Sequence, residues 1–230
     1  MGGKTWTQRG KHGKKAIKRF YEATKTNNAW TMAKKAWSGV KHMKEMINSE
    51  RHIYQLNNTL SPFSSETVNY NGKIFHVSNI NQGDGLGQRS GNSILSSGIS
   101  MRANIKGNFT TLDTQQFRLL YFMDTMNTGT QPTPGDVLQN VGSEIATMSA
   151  LNQTAAGRYK ILKSSLYNLN KNGRMSIAIK DYIKIKKHIK YTSTAGSDEW
   201  KNQIYFMVIS NVASDDPLFD YVCRFYFYDN

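Results

Sequence analysis

Residues 203–210 read QIYFMVIS and residues 219–228 read FDYVCRFYFY. The first run is apolar at both parities, the pattern of a strand covered on both faces. The second is aromatic and β-branched, with Tyr221, Cys223, Phe225 and Phe227 at one parity and Arg224 at the other. Such side chains fit a pleated surface better than a helix. Together the runs predict a sheet protein with one fully buried central strand.

The same two-residue rhythm recurs upstream. KIFHVSNI (73–80) alternates Ile74, His76, Ser78 and Ile80 against Phe75, Val77 and Asn79. Residues 94–106 hold Ile94, Leu95, Ile99, Met101 and Ile105 among serines and Arg102. FRLLYFMD (117–124) places Phe117, Leu119, Tyr121 and Met123 on one face, and RYKILKSSLYNL (158–169) reads as a broken strand or a hairpin. Residues 175–191 form the longest alternating run. Seven or eight strands with no helical pattern between most of them predict an all-β antiparallel sandwich or barrel. A doubly wound sheet would need those missing helices. The stretch 125–157 is a long connection; Pro132 and Pro134 start it extended and Asp136 is expected to cap a short helical turn. A loop of that length covers a surface or carries function.

Charge divides the chain differently from hydropathy. Over its 230 residues the formal net charge is +14. Residues 1–44 contain 12 Lys and Arg against Glu22 alone, a net +11, and the remaining 18 basic and 15 acidic residues leave only +3. Residues 1–27, rich in glycine and cations, are expected to be a disordered basic arm, because they offer too little apolar surface to offset the entropy of ordering. Lys11, Lys14, Lys15, Lys18 and Arg19 also have the density of a nuclear import signal. Residues 28–52 predict an amphipathic basic helix: Trp30, Ala33, Trp37, Val40, Met43 and Ile47 recur every three or four positions, Lys34, Lys35, Lys41 and Lys44 lie mostly off that stripe, and Asn28 suits an N-cap. Such a helix packs on the body, lies on a membrane surface or docks on nucleic acid. Residues 53–230 are expected to form the body.

A chain of this size can bury a core without disulfides, and its one cysteine excludes a disulfide framework. No uncharged apolar stretch reaches the roughly 18 residues of a membrane span, and Met1 to Gln8 lack the apolar core of a secretory signal. A soluble protein made in the cytosol, with no membrane insertion, is expected.

Chemistry-bearing constellations are missing. His12, His42, His52, His76 and His188 form no pair spaced for zinc, and His76 on a strand reads as a packed side chain. Cys223 shares a face with aromatic residues and is expected to be buried and inert. The cluster GDGLGQRSG (83–91) imitates a dinucleotide-binding turn, but NSILSSGISM follows it instead of a helix, so a tight open turn is expected. Asp215 and Asp216, before Pro217, read as a solvated turn, with calcium at a subunit contact as the sharper alternative. No cofactor, catalytic residue or enzymatic activity is expected.

A second basic element lies in the body. Within 175–191, Lys180, Lys184, Lys186, His188 and Lys190 share one parity, with Tyr182 among them, and Ile177, Ile179, Ile183, Ile185 and Ile189 share the other. Like charges in a row repel, so an anionic partner nearby would relieve them. Either this is an edge strand guarded by lysines or it is a β-face lining a nucleic-acid container, joined by Arg224. The nucleic-acid-binding residues expected are therefore Lys4, Arg9, Lys11, Lys14, Lys15, Lys18, Arg19, Lys34, Lys35, Lys41 and Lys44 in the arm, with Lys180, Lys184, Lys186, Lys190 and Arg224 on the sheet.

Four stretches together carry a family resemblance: NAWTMAKKAWSGVKHMKEMINSE (28–50), INQGDGLGQRSGNSI (80–94), FRLLYFMDTMNTGTQPTPGDVL (117–138) and IYFMVISN with YVCRFYFYD (204–229). In order and spacing the chain resembles single jelly-roll capsid proteins of small circular Rep-encoding single-stranded DNA viruses, with satellite tobacco necrosis virus capsids as a related RNA-virus comparison. The resemblance implies an eight-stranded antiparallel jelly-roll sandwich of two four-stranded sheets, carrying a basic, partly helical N-terminal arm. It implies a viral capsid protein that self-assembles into an icosahedral shell of sixty copies, with arms inward and connecting loops outward. Sixty arms of +11 would carry roughly 660 charges, enough to neutralise several hundred nucleotides at one phosphate each. The expected partners are the protein itself and single-stranded nucleic acid, DNA rather than RNA. The receptor is not specified. The expected location is the virion, with assembly in the host nucleus or cytoplasm. The arm relies on lysine where the family uses arginine, so its grip is that of point charges. Trp6, Trp30 and Trp37 are candidates for stacking on unpaired bases. A ribosomal or nucleoid nucleic-acid-binding protein with a basic tail, a jelly-roll lectin or enzyme, and membrane action by helix 28–50 are the alternatives.

Overall fold

Alternating apolar residues become two antiparallel sheets whose inner faces meet in one core. The computed structural model describes residues 31, 33–39, 51–58, 65–126, 129–196 and 199–229. The chain divides into two units, Met1–Ser49 and Glu50–Asn230. In the first, residues 33–39 are helical and exposed, with Trp37 at 75% exposure. In the second, the strands are β1 (Arg51–Asn57), β2 (Glu66–Thr67), β3 (Lys73–His76), β4 (Ser93–Lys106), β5 (Thr114–Asp124), β6 (Tyr159–Asn170), β7 (Ser176–Lys184), β8 (His188–Tyr191), β9 (Glu199–Lys201), β10 (Gln203–Ser210) and β11 (Leu218–Asp229).

The strand pairs nest like brackets. β1 pairs β11, β3 pairs β10, β4 pairs β7 and β5 pairs β6, all antiparallel. The larger sheet runs β1-β11-β4-β8-β9, with β2 along β11 and β7 along β4; the smaller runs β3-β10-β5-β6. Nested pairs divided between two sheets are a jelly roll, so the predicted all-β fold stands, but the larger sheet has seven strands where four were expected, because the short β2 and β9 add to it and the run 175–191 supplies two strands, β7 and β8, along β4. Between the sheets lie Phe117, Leu119, Tyr121, Phe206, Phe219, Tyr221, Phe225 and Phe227. Phe206 is the hub: it stacks on Phe75 at 4.7 Å and meets Tyr221 edge-on at 5.2 Å.

β10 is buried at every position, as its two-sided apolarity predicts. A second cluster explains why. Tyr205, Met207 and Ile209 point away from the main core and pack with Leu120, Phe122, Val137, Leu138 and Ala146. The connection 125–157 thus covers the outer side of the smaller sheet. Its ends are pinned by Arg158, whose Nε and Nη2 grip the buried Asp124 carboxylate at 3.0 and 2.7 Å. Arg118 reaches from β5 to the Ser149 carbonyl at 2.7 Å.

Several expectations need correction. The helix expected over 28–52 cannot include Arg51 and His52, which are strand, and the strand β1 was not foreseen. The run 175–191 is two strands, parted at 185–187, where three residues stand opposite Ser96 and Ser97 of β4: Ile185 N–H donates to Ser97 O and Ser96 N–H to Lys187 O, both at 2.9 Å. Residues 159–170 are one strand, not a hairpin, with Leu162 bulged opposite Tyr121 and Phe122. Asp136 is not the cap: Thr133 is, and Asp136 stands at the third helical position, its carboxylate accepting from Thr133 N–H and Oγ1 at 2.8 Å each.

The glycine cluster does form a turn, with Gly83 N–H donating to Arg89 O at 2.9 Å. What the sequence did not announce is Arg89 itself, fully buried there. Its guanidinium donates to the carbonyls of Ile80 (2.9 Å), Gly91 (2.6 Å) and Ser193 and lies 4.0 Å from the Tyr191 ring centroid. Five donors in a planar fork let one side chain tie 80–92 to 193–195.

Candidate nucleic-acid interface

Alternation on β4, β7 and β11 sends one parity into the core and the other out. Lys180, Lys184 and Lys190 are exposed at the outward parity of β7 and β8, Lys186 is exposed in the link between them, and Arg224 is exposed on β11. Register then brings strands together that sequence alone cannot align. Gln55, Arg224, Ser100 and Tyr182 form one row across the sheet; Val222, Arg102 and Lys180 form the next; Tyr226, Gly98 and Lys184 form another. Neighbouring strands are about 4.8 Å apart and successive rows nearly 7 Å. Arg102, Arg224, Lys180 and Lys184 therefore share one small field.

Geometry organises these cations. Arg224 Nε donates to Gln55 Oε1 at 3.0 Å. Arg51, at the sheet edge, lies 4.8 Å over the Tyr226 ring. A depression of about 200 Å³ is lined by Ser100, Arg102, Val222, Arg224 and Tyr226. A second, of about 280 Å³, shares Arg102 and Val222 and reaches Lys180 and Asp220. Asp220 is already engaged, 3.4 Å from Lys106 and accepting from Ser65 Oγ at 2.6 Å. The field accordingly suits an anion. Of the predicted sheet residues, Lys180, Lys184 and Arg224 come together, whereas Lys186 in the link and Lys190, opposite Ser93, lie farther along the sheet; Arg51, Arg102 and Tyr226, which border the same field, were not among the predicted residues. For Arg102 the signal was there, since Met101 and Ala103 point inward.

Of the arm residues, Lys34 and Lys35 are exposed in the helical segment. Lys4, Arg9, Lys11, Lys14, Lys15, Lys18, Arg19, Lys41 and Lys44 lie outside the described residues, as do Trp6 and Trp30.

The other candidates are two packed side chains and a hydrogen-bonded turn. Cys223 is buried and its thiol is pushed up to about 12 by desolvation. His76 is buried, its Nε2 lying 3.0 Å from Gln203 Oε1, and burial lowers its pKa to about 4. Asp215 accepts from the Thr111 N–H at 2.7 Å and from the Thr111 hydroxyl, which lower its pKa, while desolvation raises that of Asp216. Among the described residues no three His, Cys, Asp or Glu side chains converge as a metal site would require.

The family model described as satellite tobacco necrosis virus coat protein matches residues 24–229. The chain belongs to that family. It is 34% identical over 146 residues to the capsid protein of Satellite tobacco necrosis virus 1, covering 61% of this chain and 67% of that protein. It is 24% identical over 186 residues to the coat protein of Maize white line mosaic Satellite virus, covering 77% and 82%. Among solved structures it is similar to a chain of desmodium yellow mottle tymovirus at 8% identity and a TM-score of 0.35, covering 78% and 86%. The assignment to circular single-stranded DNA viruses is thereby corrected: the matched family is the satellite one, named above only as a comparison. The four stretches quoted for the resemblance are loose strings of common residues and do not separate the two.

Proposed function

We propose that this chain is a structural, non-enzymatic coat subunit that assembles with copies of itself into a closed icosahedral shell of sixty, enclosing single-stranded RNA rather than DNA. Family membership supports the coat role. The observation that carries the cargo reading is the shared field of Arg102, Arg224, Lys180 and Lys184 on a sheet face whose described acid, Asp220, already has a cation. The basic arm adds the larger charge. It binds the phosphate backbone without reading sequence, and counterion release supplies affinity. Exposed apolar side chains on the connection and on β6, Ile145, Met148, Leu151 and Leu166, give neighbouring copies something to bury.

Deleting residues 2–27 tests the arm. The truncated protein should still fold, with unchanged circular dichroism, but its particles should carry little nucleic acid by the 260/280 nm absorbance ratio. Particles loaded as fully as wild type would sink the arm's role.

A further inference from the structure

One exposed ring stands inside the cationic field. Tyr182 is 58% exposed at the outward parity of β7. Beside it, Gly98 faces outward yet is buried. A Cβ at Gly98 would stand 2.8 Å from the Tyr182 hydroxyl and 3.0 Å from its Cζ. The ring therefore leans over β4 into the space this glycine leaves, instead of standing up from the sheet. On the far side of Gly98, in register with it, is Tyr226, its ring 6.5 Å from that of Tyr182 and tilted by 53°. Arg51 lies on Tyr226. The arrangement is a strip of Arg51, Tyr226 and Tyr182 alongside the depression lined by Arg102 and Arg224.

We propose that Tyr182, with Tyr226 beside it, is a stacking platform for an unpaired nucleobase, whose flanking phosphates are taken by Arg102, Arg224, Lys180 and Lys184. This rests on the reading of the field as a nucleic-acid interface and adds that its ligand is single-stranded. A phosphate site alone needs no exposed ring and grips duplex and single strand alike. A flat β-face presenting rings among cations is suited to splayed bases, because every base has a π-face and stacking ignores its identity. An Arg held on one tyrosine reinforces the strip by cation–π attraction.

The test uses the full chain as unassembled subunits, with a fluorescein-labelled oligouridine and an RNA duplex of equal phosphate number as probes. Tyr182→Ala should weaken oligouridine binding roughly 5- to 100-fold, the range for loss of one stacked base, and leave duplex affinity and the salt slope unchanged. Tyr182→Phe should bind as wild type. Photo-crosslinking with 4-thiouridine should label residues 181–184. The double variant Lys180→Ala/Lys184→Ala should weaken both probes and flatten the salt dependence by about two charges. If the lysine variant loses affinity but Tyr182→Ala does not, or if Tyr182→Ala weakens both probes equally, the platform is overturned and the basic interface stands. If neither variant changes binding, the interface reading falls with it. If Tyr182→Ala binds normally but forms no shells, the ring contacts another copy and the proposal is overturned.

Discussion

The two sheets share one core but treat their outer faces in opposite ways. The smaller sheet is padded: Tyr205, Met207 and Ile209 lie under Val137, Leu138 and Ala146 from the 125–157 connection. Among the described residues, nothing covers the side of the larger sheet that carries Arg102, Lys180, Lys184 and Arg224. A strand with padding on one side and core on the other must be apolar at both parities, and β10 is; a strand with one solvated face must alternate, and β7 does. Sequence texture thus reports which sheet is covered before any contact is known.

The comparison predicts that β10 has no harmless side. Phe206→Ala, toward the main core, should cost about 3–5 kcal/mol, and Met207→Ala, toward the padding, about 2–5 kcal/mol, by urea unfolding of unassembled subunits. A padding-side cost near zero would mean the connection does not cover the sheet. Arg158→Ala should cost a similar 3–5 kcal/mol, because it strands the buried Asp124 carboxylate without its counter-charge. Arg158→Ala/Asp124→Asn should recover much of that loss.

A subtler difference is in pH. His76, on the covered sheet and stacked on Tyr205 at 4.6 Å, has its pKa lowered to about 4 by burial. A lowered histidine pKa means the unfolded chain binds the proton first. Its contribution is complete above about 6.5 and is lost as pH falls toward 4, a loss on the order of a few kcal/mol. Melting scans of wild type and His76→Gln across that window should converge as the pH drops. Parallel curves would remove His76 as the cause. The smallest effect belongs to the cationic face, where Lys184→Ala should change stability by less than about 0.5 kcal/mol.

Much of this was readable from residues alone, for identifiable reasons. The strands at 93–106, 114–124 and 218–229 announce themselves by alternation, and so does the lysine face. The break in 175–191 does not, because the odd-numbered isoleucines keep pointing inward across 185–187 although three residues there stand opposite only Ser96 and Ser97 of β4. Periodicity records a strand's own pleat and is blind to its partner's. The same blindness hid the pair of rings over Gly98. Tyr182, Gly98 and Tyr226 are far apart in the chain and become one feature only through register. Arg89 escaped for a different reason: an arginine among glycines looks like solvated turn chemistry until the carbonyls it gathers are known.

The bracketed pairing also constrains synthesis. β11 lies between β1 and β4 and is the last of these strands to be made. Until residues 218–229 have left the ribosome, β1 and β4 have no shared neighbour, and pairings this distant in sequence form slowly. A nascent subunit therefore cannot complete its larger sheet, or the cationic field spread across it, before translation has passed residue 229. Strand order alone thereby keeps that face from forming on a half-made sheet.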